Sequence, residues 1–455
     1  MKVEGLTLNF ILRATGGTSS GGRKEITGIS VDSRTIKKGE VFFALKGENY
    51  DGHSFCEKAF IKGCSYVVIE KDLGIKNDFI RVKNTLEALG NLAKRWRQKF
   101  NLKCVAITGT SGKTTTRRII NYILKDRYEC TETVKNYNNM VGLPLSVLQI
   151  RKKTEIAILE MAMNSIGEIK RLSHIADPHV GIITNVGRGH LEFLGSIQNV
   201  AKAKSELLLY LKEGDVAILN RDDPFLMNIR NKTKAEVITY GIENRSDFKA
   251  DTIKIGKRGS SFAVNGEGPF HLPLLGKINI YNALAAIATS SLFGLGSEEI
   301  KERLKSVKPE PLRLNRISHS GIIIFNDSYN ANPDSMAAAL SIVAAEKGKR
   351  KIACLGDMLE LGKKSVTFHK DVGRKLDQYG FNIIFLYGPL SMYILRNVKK
   401  KSFKGKVLHF KDKEKLTRKL IDTIKKGDVV LIKGSHNNRL DIVADALIKN
   451  IKGRR

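Results

Sequence analysis

The chain has 455 residues, more than a single hydrophobic core serves, and two to four domains are expected. Its 78 Lys and Arg against 46 Asp and Glu give a formal charge of +32, but the basic residues are scattered in short runs such as Lys399-Lys400-Lys401 and Lys425-Lys426. No aromatic-interleaved motif accompanies them, which argues against nucleic acid as a partner. No apolar run approaches the ~18 residues of a membrane span, Glu4 and Asn9 interrupt the start where a signal peptide would be apolar, and the five cysteines show neither C-x-x-C nor zinc spacing. A cytoplasmic, monomeric protein with free thiols is expected.

Residues 1–84 mix short apolar runs, Glu40 to Leu45 and Tyr66 to Ile69, with Gly- and Asp-rich turns, as a small α/β domain would. From 85 to 310, apolar strands alternate with helical stretches: Val105 to Thr108, Ile156 to Glu160, Val180 to Thr184 and Val216 to Asn220. That alternation predicts a mostly parallel sheet flanked by helices. Val264-Asn265-Gly266-Glu267 predicts a hairpin before the helical Tyr281 to Phe293. Residues 311–455 read as a second, Rossmann-like α/β unit, with strands near Ile322 to Phe325, Ile352 to Leu355, Ile383 to Tyr387 and Val429 to Ile432.

Between Cys104-Val105-Ala106-Ile107 and a helix-like segment lies Thr108-Gly109-Thr110-Ser111-Gly112-Lys113-Thr114-Thr115-Thr116. Two glycines let successive N–H groups face a polyphosphate, the helix N-terminus adds positive potential, and Lys113 supplies a mobile charge. A nucleotide site at Gly109 to Thr115 is predicted, with the Thr114 hydroxyl offered to Mg²⁺. Ile107 stands where the longer P-loop pattern requires glycine, which narrows the family.

Ligands of open α/β sheets sit beyond the carboxyl ends of the strands. The residues closing them here are Gly109, Glu160, Asn185, Asp327, Gly356 and Lys433, polar or glycine in every case, so a site assembled from two domains is expected. Glu160 ends the first clear apolar strand after the loop. A carboxylate there can cap a helix or hold Mg²⁺ beside Thr114, and its pairing with a phosphate loop favours the metal.

Asn185-Val186-Gly187-Arg188-Gly189-His190 is followed by Ala203-Lys204-Ser205-Glu206. Together with the Gly109–Thr115 loop and Glu160, this order resembles the Mur ligases, ATP-dependent amide-forming enzymes of peptidoglycan precursor synthesis. The resemblance implies a second Mg²⁺ at His190 and a carbamoylated lysine at Lys204. Lys202, two residues away, competes, and the A-K-[SG]-E context favours Lys204. It further implies three domains: a UDP-sugar-binding domain over 1–84, a central P-loop domain over 85–310 and a closing ligase domain over 311–455.

Asn136-Tyr137-Asn138-Asn139-Met140-Val141-Gly142-Leu143-Pro144 and Asn326-Asp327-Ser328-Tyr329-Asn330-Ala331-Asn332-Pro333 resemble the branch of the family that joins D-alanyl-D-alanine to UDP-N-acetylmuramoyl-tripeptide. Leu355 to Gly362 and Lys433-Gly434-Ser435 look like the same branch, and Asp32-Ser33-Arg34 and Gly47 to His53 resemble its UDP-sugar domain. What this implies is substrate contact by Ser33, Arg34, Asn136, Asn138, Asn139, Tyr329, Asn330 and Asn332, and ATP contact by Asn279, Asn282, Arg313 and Asp327. Lys113, Glu160, His190, Lys204 and Arg313 are the implied catalytic set. Two segments depart from the family pattern: Ile278 replaces a histidine in the adenine-binding G-x-H-N-x-x-N, and His436-Asn437-Asn438-Arg439 follows Lys433-Gly434-Ser435. The alternatives are a related ligase adding a single amino acid, which the Ser328 to Pro333 run disfavours, and a basic nucleic-acid-binding P-loop ATPase.

Overall fold

The computed structural model describes residues 1–455 apart from Arg23, Glu48, Ile75, Lys76, 399–401 and 454–455, so the Lys399 run and Glu48 lie outside the described residues. Three sheets follow one another along the chain, of five, nine and six strands. Each is mainly parallel, with antiparallel additions at an edge.

In the nine-stranded sheet the strand Lys103–Thr108 lies between Ile156–Glu160 on one side and Val180–Ile183 on the other. The chain therefore leaves its first strand in opposite directions, and the crevice opened at that switch point is the expected ligand position. Alternate residues of Lys103–Thr108 enter different cores: Cys104 and Ala106 join one cluster, Val105 and Ile107 the other. Such two-sided burial accounts for an unbroken apolar run where a half-exposed strand would alternate. Helix Lys113–Leu124 packs Ile119, Ile120 and Ile123 on one face of the sheet, which aims its N-terminus at the crevice. The far edge carries the hairpin of Gly259–Val264 and Glu267–Leu272, turned by Asn265 and Gly266 at φ 52° and 81°. Positive φ at both central residues suits Asn-Gly and matches the twist of the strands.

The six-stranded sheet places its last strand, Asp428–Lys433, between Ile322–Asp327 and Arg350–Gly356. Register alone then sets Asp327 beside Lys433, and Leu355 on the other side of it. One face of the five-stranded N-terminal sheet, with Val41, Phe43, Tyr66 and Val68, joins the same core as Cys104 and Ala106, and the other face, with Phe42, Ala44, Val67 and Ile69, has a core of its own.

Candidate functional site

A cavity of about 340 Å³ lies where the carboxyl ends of the central and C-terminal sheets meet. The phosphate loop forms its floor. Gly109 has φ 150° and a Cβ there would overlap the Thr184 hydroxyl; Gly112 has φ 84° and a Cβ there would strike the Asn282 amide. Both glycines are thus required by close approach as well as by backbone angle. Asn185 secures the loop from the neighbouring strand end, its carbonyl accepting from Thr110 N at 3.0 Å and its Oδ1 from Ser111 N at 3.1 Å. No side chain caps the helix that begins at Lys113, so its first N–H groups keep their hydrogen-bonding capacity for an anion.

Register sets Glu160 beside Ile107, one residue before the loop begins to turn. Its Oε2 accepts from Thr114 Oγ1 at 2.9 Å and its Oε1 from Asn138 Nδ2 at 2.8 Å. Both donors are neutral and bring no counter-charge to this nearly closed position, 2% exposed. Lys113 turns its Nζ back on the Gly109 carbonyl at 2.8 Å. Desolvation pushes its ammonium below the usual lysine range, Glu160 and Glu360 pull it back up, and Arg313 adds to the depression. A bound polyphosphate would reverse the balance by supplying the missing counter-charge.

From the C-terminal side Arg313 reaches across, its Nη2 donating to Thr114 Oγ1 at 2.9 Å while the guanidinium stacks 4.0 Å above the Tyr329 ring. Asp327 is engaged on both oxygens, by Lys433 Nζ at 2.7 Å and by Leu314 N at 3.0 Å. It therefore holds the Arg313 segment in place. Leu274, Ile278 and Ile342 give the cavity an apolar wall beside Asn279 and Asn282. The amide of Asn282 donates to Asn279 Oδ1 at 3.0 Å and accepts from Thr116 Oγ1 at 3.3 Å.

His190 also lines the cavity, at φ 57°. Its Nδ1 is buried without an in-line hydrogen bond, 3.0 Å from Glu360 Oε2 of the C-terminal domain. The imidazole beside Glu360 holds that carboxyl below the usual carboxylate range, against the opposing effect of burial. Lys204 is 1% exposed, and neither a hydrogen bond nor an ion pair of its ammonium is found among the described residues. Burial drives its pKa well below the usual lysine value, and Lys113 pushes the same way. Lys202 is exposed.

Several residues expected at the substrate lie elsewhere or are otherwise occupied. Asn139 Oδ1 accepts from Val141 N and Gly142 N, and Asn332 caps the helix Pro333–Ala345 in a capping box. Asn330 bonds the next backbone N–H but still lines the cavity with Tyr329 and Asn332. Asn136 is exposed and outside the cavity, as are Ser33, buried, and Arg34, exposed and paired to Asp32 at 2.8 Å. Sequence reasoning gave no site role to Asn185, Glu360, Arg118 or Glu310; the last two form a 2.5 Å ion pair on the cavity wall. Asn185 carried a signal as the residue closing its strand, and Glu360 as part of the Leu355 to Gly362 run.

Oxygen donors 2.9 Å apart at Thr114 and Glu160 suit a hard divalent cation that keeps waters and phosphate oxygens as its other ligands. No group of three or more His, Cys, Asp or Glu arranged for a metal is found among the described residues. The described residues also contain no helix long and apolar enough to cross a membrane.

Three family models match in succession: Mur ligase family, catalytic domain, over 25–97; Mur ligase middle domain over 107–290; and Mur ligase, glutamate ligase domain, over 312–436. The chain is 37% identical to the UDP-N-acetylmuramoyl-tripeptide--D-alanyl-D-alanine ligase of Bacillus subtilis strain 168, covering 93% of this chain and 94% of that protein. With the enzyme of the same name from Escherichia coli K12 it shares 32% over 98% and 99%. The crystal structure of MurF from Acinetobacter baumannii superposes with a TM-score of 0.92 at 30% identity, covering 99% of this chain and all of that one. MurF of Thermotoga maritima in complex with ADP gives 0.84 at 29%, over 95% and 99%. With the three matches in chain order and full-length relatives above 30% identity, the chain belongs to the Mur ligase family.

Proposed function

We propose that this chain joins D-alanyl-D-alanine to UDP-N-acetylmuramoyl-tripeptide with hydrolysis of ATP to ADP and phosphate, in the cytoplasm and as a single chain. The observation that carries the reading is one cavity bounded by the phosphate loop, the Thr114–Glu160 pair and the Tyr329 to Asn332 segment. Nucleotide, acyl donor and dipeptide chemistry can meet there.

The tripeptide carboxylate attacks the γ-phosphorus of ATP, forming an acyl phosphate and releasing ADP. The dipeptide amine, once deprotonated, then adds to the acyl carbon, and collapse of the tetrahedral adduct expels phosphate and leaves the amide. Neither step needs a covalent enzyme nucleophile. Lys113, Arg313 and the free N–H groups of the Lys113–Leu124 helix bind and orient the phosphates, as phosphoryl transfer demands positioning and charge neutralisation above all. Thr114 and Glu160 would hold Mg²⁺, which, when bound, offsets phosphate charge. His190 stands ready to serve a second cation. Lys204 fits a carbamate because burial without an anionic partner disfavours its ammonium and so favours the free amine that attacks CO₂. Asn279, Asn282 and the apolar wall with Ile278 receive the adenine; Ile278 supplies packing where an imidazole would supply a polar edge. Asn138 reaches substrate through Glu160, while Tyr329 and Asn330 face the dipeptide. Ser33 and Arg34 belong to the UDP-sugar end.

Phosphate release by the purified chain, with UDP-N-acetylmuramoyl-tripeptide and in turn D-alanyl-D-alanine, single amino acids and duplex DNA, tests the reading. Release should depend on the dipeptide. Dependence on DNA or on a single amino acid would overturn it.

A further inference from the structure

The segment Asp357 to Gly362, which follows the strand Arg350–Gly356, has no part in the chemistry above, yet it is built with unusual care. Every backbone N–H from 357 to 359 is held by a side chain: Asp357 N by Asn438 Oδ1 at 3.0 Å, Met358 N by His369 Nε2 at 3.0 Å, and Leu359 N by Ser435 Oγ at 2.9 Å. The Asp357 carboxylate in turn accepts from Ser391 N at 2.7 Å and Leu390 N at 3.2 Å. At the tip stands Glu360 with φ 62°, a left-handed conformation that a residue bearing a Cβ adopts at a cost and that surrounding structure must enforce.

This tip meets the central domain at a second strained residue. His190 has φ 57°, and its buried Nδ1 lies 3.0 Å from Glu360 Oε2. Beside this contact Glu192 N donates to the Glu360 carbonyl at 3.0 Å, and a Cβ on Gly362 would lie 2.8 Å from Glu192 Cα. On the other flank Arg188 N donates to Asp334 Oδ2 at 3.0 Å and the Arg188 guanidinium sits 5.7 Å from the Phe368 ring centroid. The C-terminal domain therefore grips the segment from Arg188 to Glu192 on both sides of His190.

We propose that Glu360 is a positioning residue: by taking Nδ1 of His190 across the domain boundary, it sets the imidazole with Nε2 toward the phosphates, so that the site is complete only when the C-terminal domain is seated. The two atoms stand 3.0 Å apart without an in-line hydrogen bond, so what the proposed contact requires is ring orientation and not approach. A carboxylate behind an imidazole fixes both tautomer and ring plane. The inference rests on the ligase reading for its kinetic consequence, though the contact itself does not.

The test uses the full-length enzyme and the variants Glu360→Ala and Glu360→Gln. Steady-state ligation should show kcat reduced roughly 10- to 100-fold in Glu360→Ala with KM for ATP unchanged, the range seen when an outer partner of a ligand histidine is removed. Glu360→Gln, whose amide oxygen still accepts from Nδ1–H, should recover most of that loss. Backbone hydrogen exchange over 187–192, measured without substrates, should speed up in Glu360→Ala and stay near wild type in Glu360→Gln. A glutamine variant as slow as the alanine variant, or a matching rise in the KM for ATP, would overturn the positioning role. Unchanged exchange in Glu360→Ala would overturn the contact while leaving ligation intact. Faster exchange together with a wild-type enzyme indifferent to D-alanyl-D-alanine would sustain the contact and refute the substrate.

Discussion

Two carboxylates end parallel strands on facing sides of the cavity, and their surroundings give them opposite work. Glu160 is met by a hydroxyl and an amide, neutral donors that order it without cancelling its charge. Asp327 is met by the ammonium of Lys433, which is itself 1% exposed. A carboxylate already paired with a buried cation has little charge left for a metal or a phosphate-bound cation, and its value lies in what it holds: here the Leu314 N–H and so the Arg313 segment. The same cue in sequence, an acid after an apolar run, leads in one sheet to a carboxylate without a counter-ion, which we propose holds a cation, and to a clamp in the other. The counter-ion decides, and in the clamp it comes from a strand more than a hundred residues later, Asp428–Lys433.

Removing charge from the first carboxylate should have the largest effect. Glu160→Gln is expected to lower kcat by roughly 10³-fold, the scale of losing a preorganised electrostatic group, with the denaturant midpoint close to wild type. Turnover near wild type would erase the distinction between the two acids. Lys204→Ala extends the same side of the comparison. Ligation should fall about 100-fold and return in part with millimolar acetate, because a carbamate that acts only as an anion can be replaced by a small carboxylate. Lys202→Ala, at an exposed position, should ligate normally. Rescue absent from Lys204→Ala, or a loss at Lys202, would reassign the modified residue.

Asp327→Asn probes the clamp. It strands the Lys433 ammonium in a buried position, and breaking such a pair costs about 3 kcal/mol. The urea midpoint of the C-terminal domain should drop accordingly, with the loss of activity following from a displaced Arg313. An unchanged midpoint with abolished ligation would place Asp327 among the groups that touch the nucleotide.

The phosphate loop and Glu160 were legible because their meaning is local: a glycine pattern between a strand and a helix, and an acid one strand away. Three parallel-rich sheets follow from apolar runs buried on both faces, as at Lys103–Thr108. The asparagines were far less legible. An amide serves a peptide ligand and the chain's own backbone equally well, so nothing in the residue types separates Asn138, on Glu160, from Asn139, which closes a turn onto Val141 N and Gly142 N, and Asn332, which caps a helix. Glu360 lay within the Leu355 to Gly362 resemblance, but nothing there gave it a role of its own. Its partner His190 belongs to another domain, and its loop gains meaning only through how the domains pack.

The smallest effect concerns the scaffold behind that loop. His369 is fully buried, its Nδ1 donating to the Ser365 carbonyl at 2.7 Å and its Nε2 accepting from Met358 N. This arrangement requires the neutral ring, since a proton on Nε2 would face the Met358 N–H. Burial lowers the His369 pKa, with the Ser365 carbonyl and Asp357 opposing. The sign follows from proton counting: the unfolded chain takes up a proton near pH 6.5 while the folded chain resists it, so the unfolded state binds more protons below that pH. Stability is full above pH 6.5 and declines as pH falls from there toward the depressed folded value. Asp357, whose burial raises its pKa, acts in the opposite sense, so the slope must be read as a difference between proteins. In His369→Gln, where an amide oxygen can still accept from Met358 N, the urea midpoint should fall less between pH 7.5 and 5.5 than in the wild type. Equal slopes would mean that His369 takes up its proton in the fold as readily as in the unfolded chain, and the Asp357 to Gly362 segment would then need another anchor for its Met358 N–H.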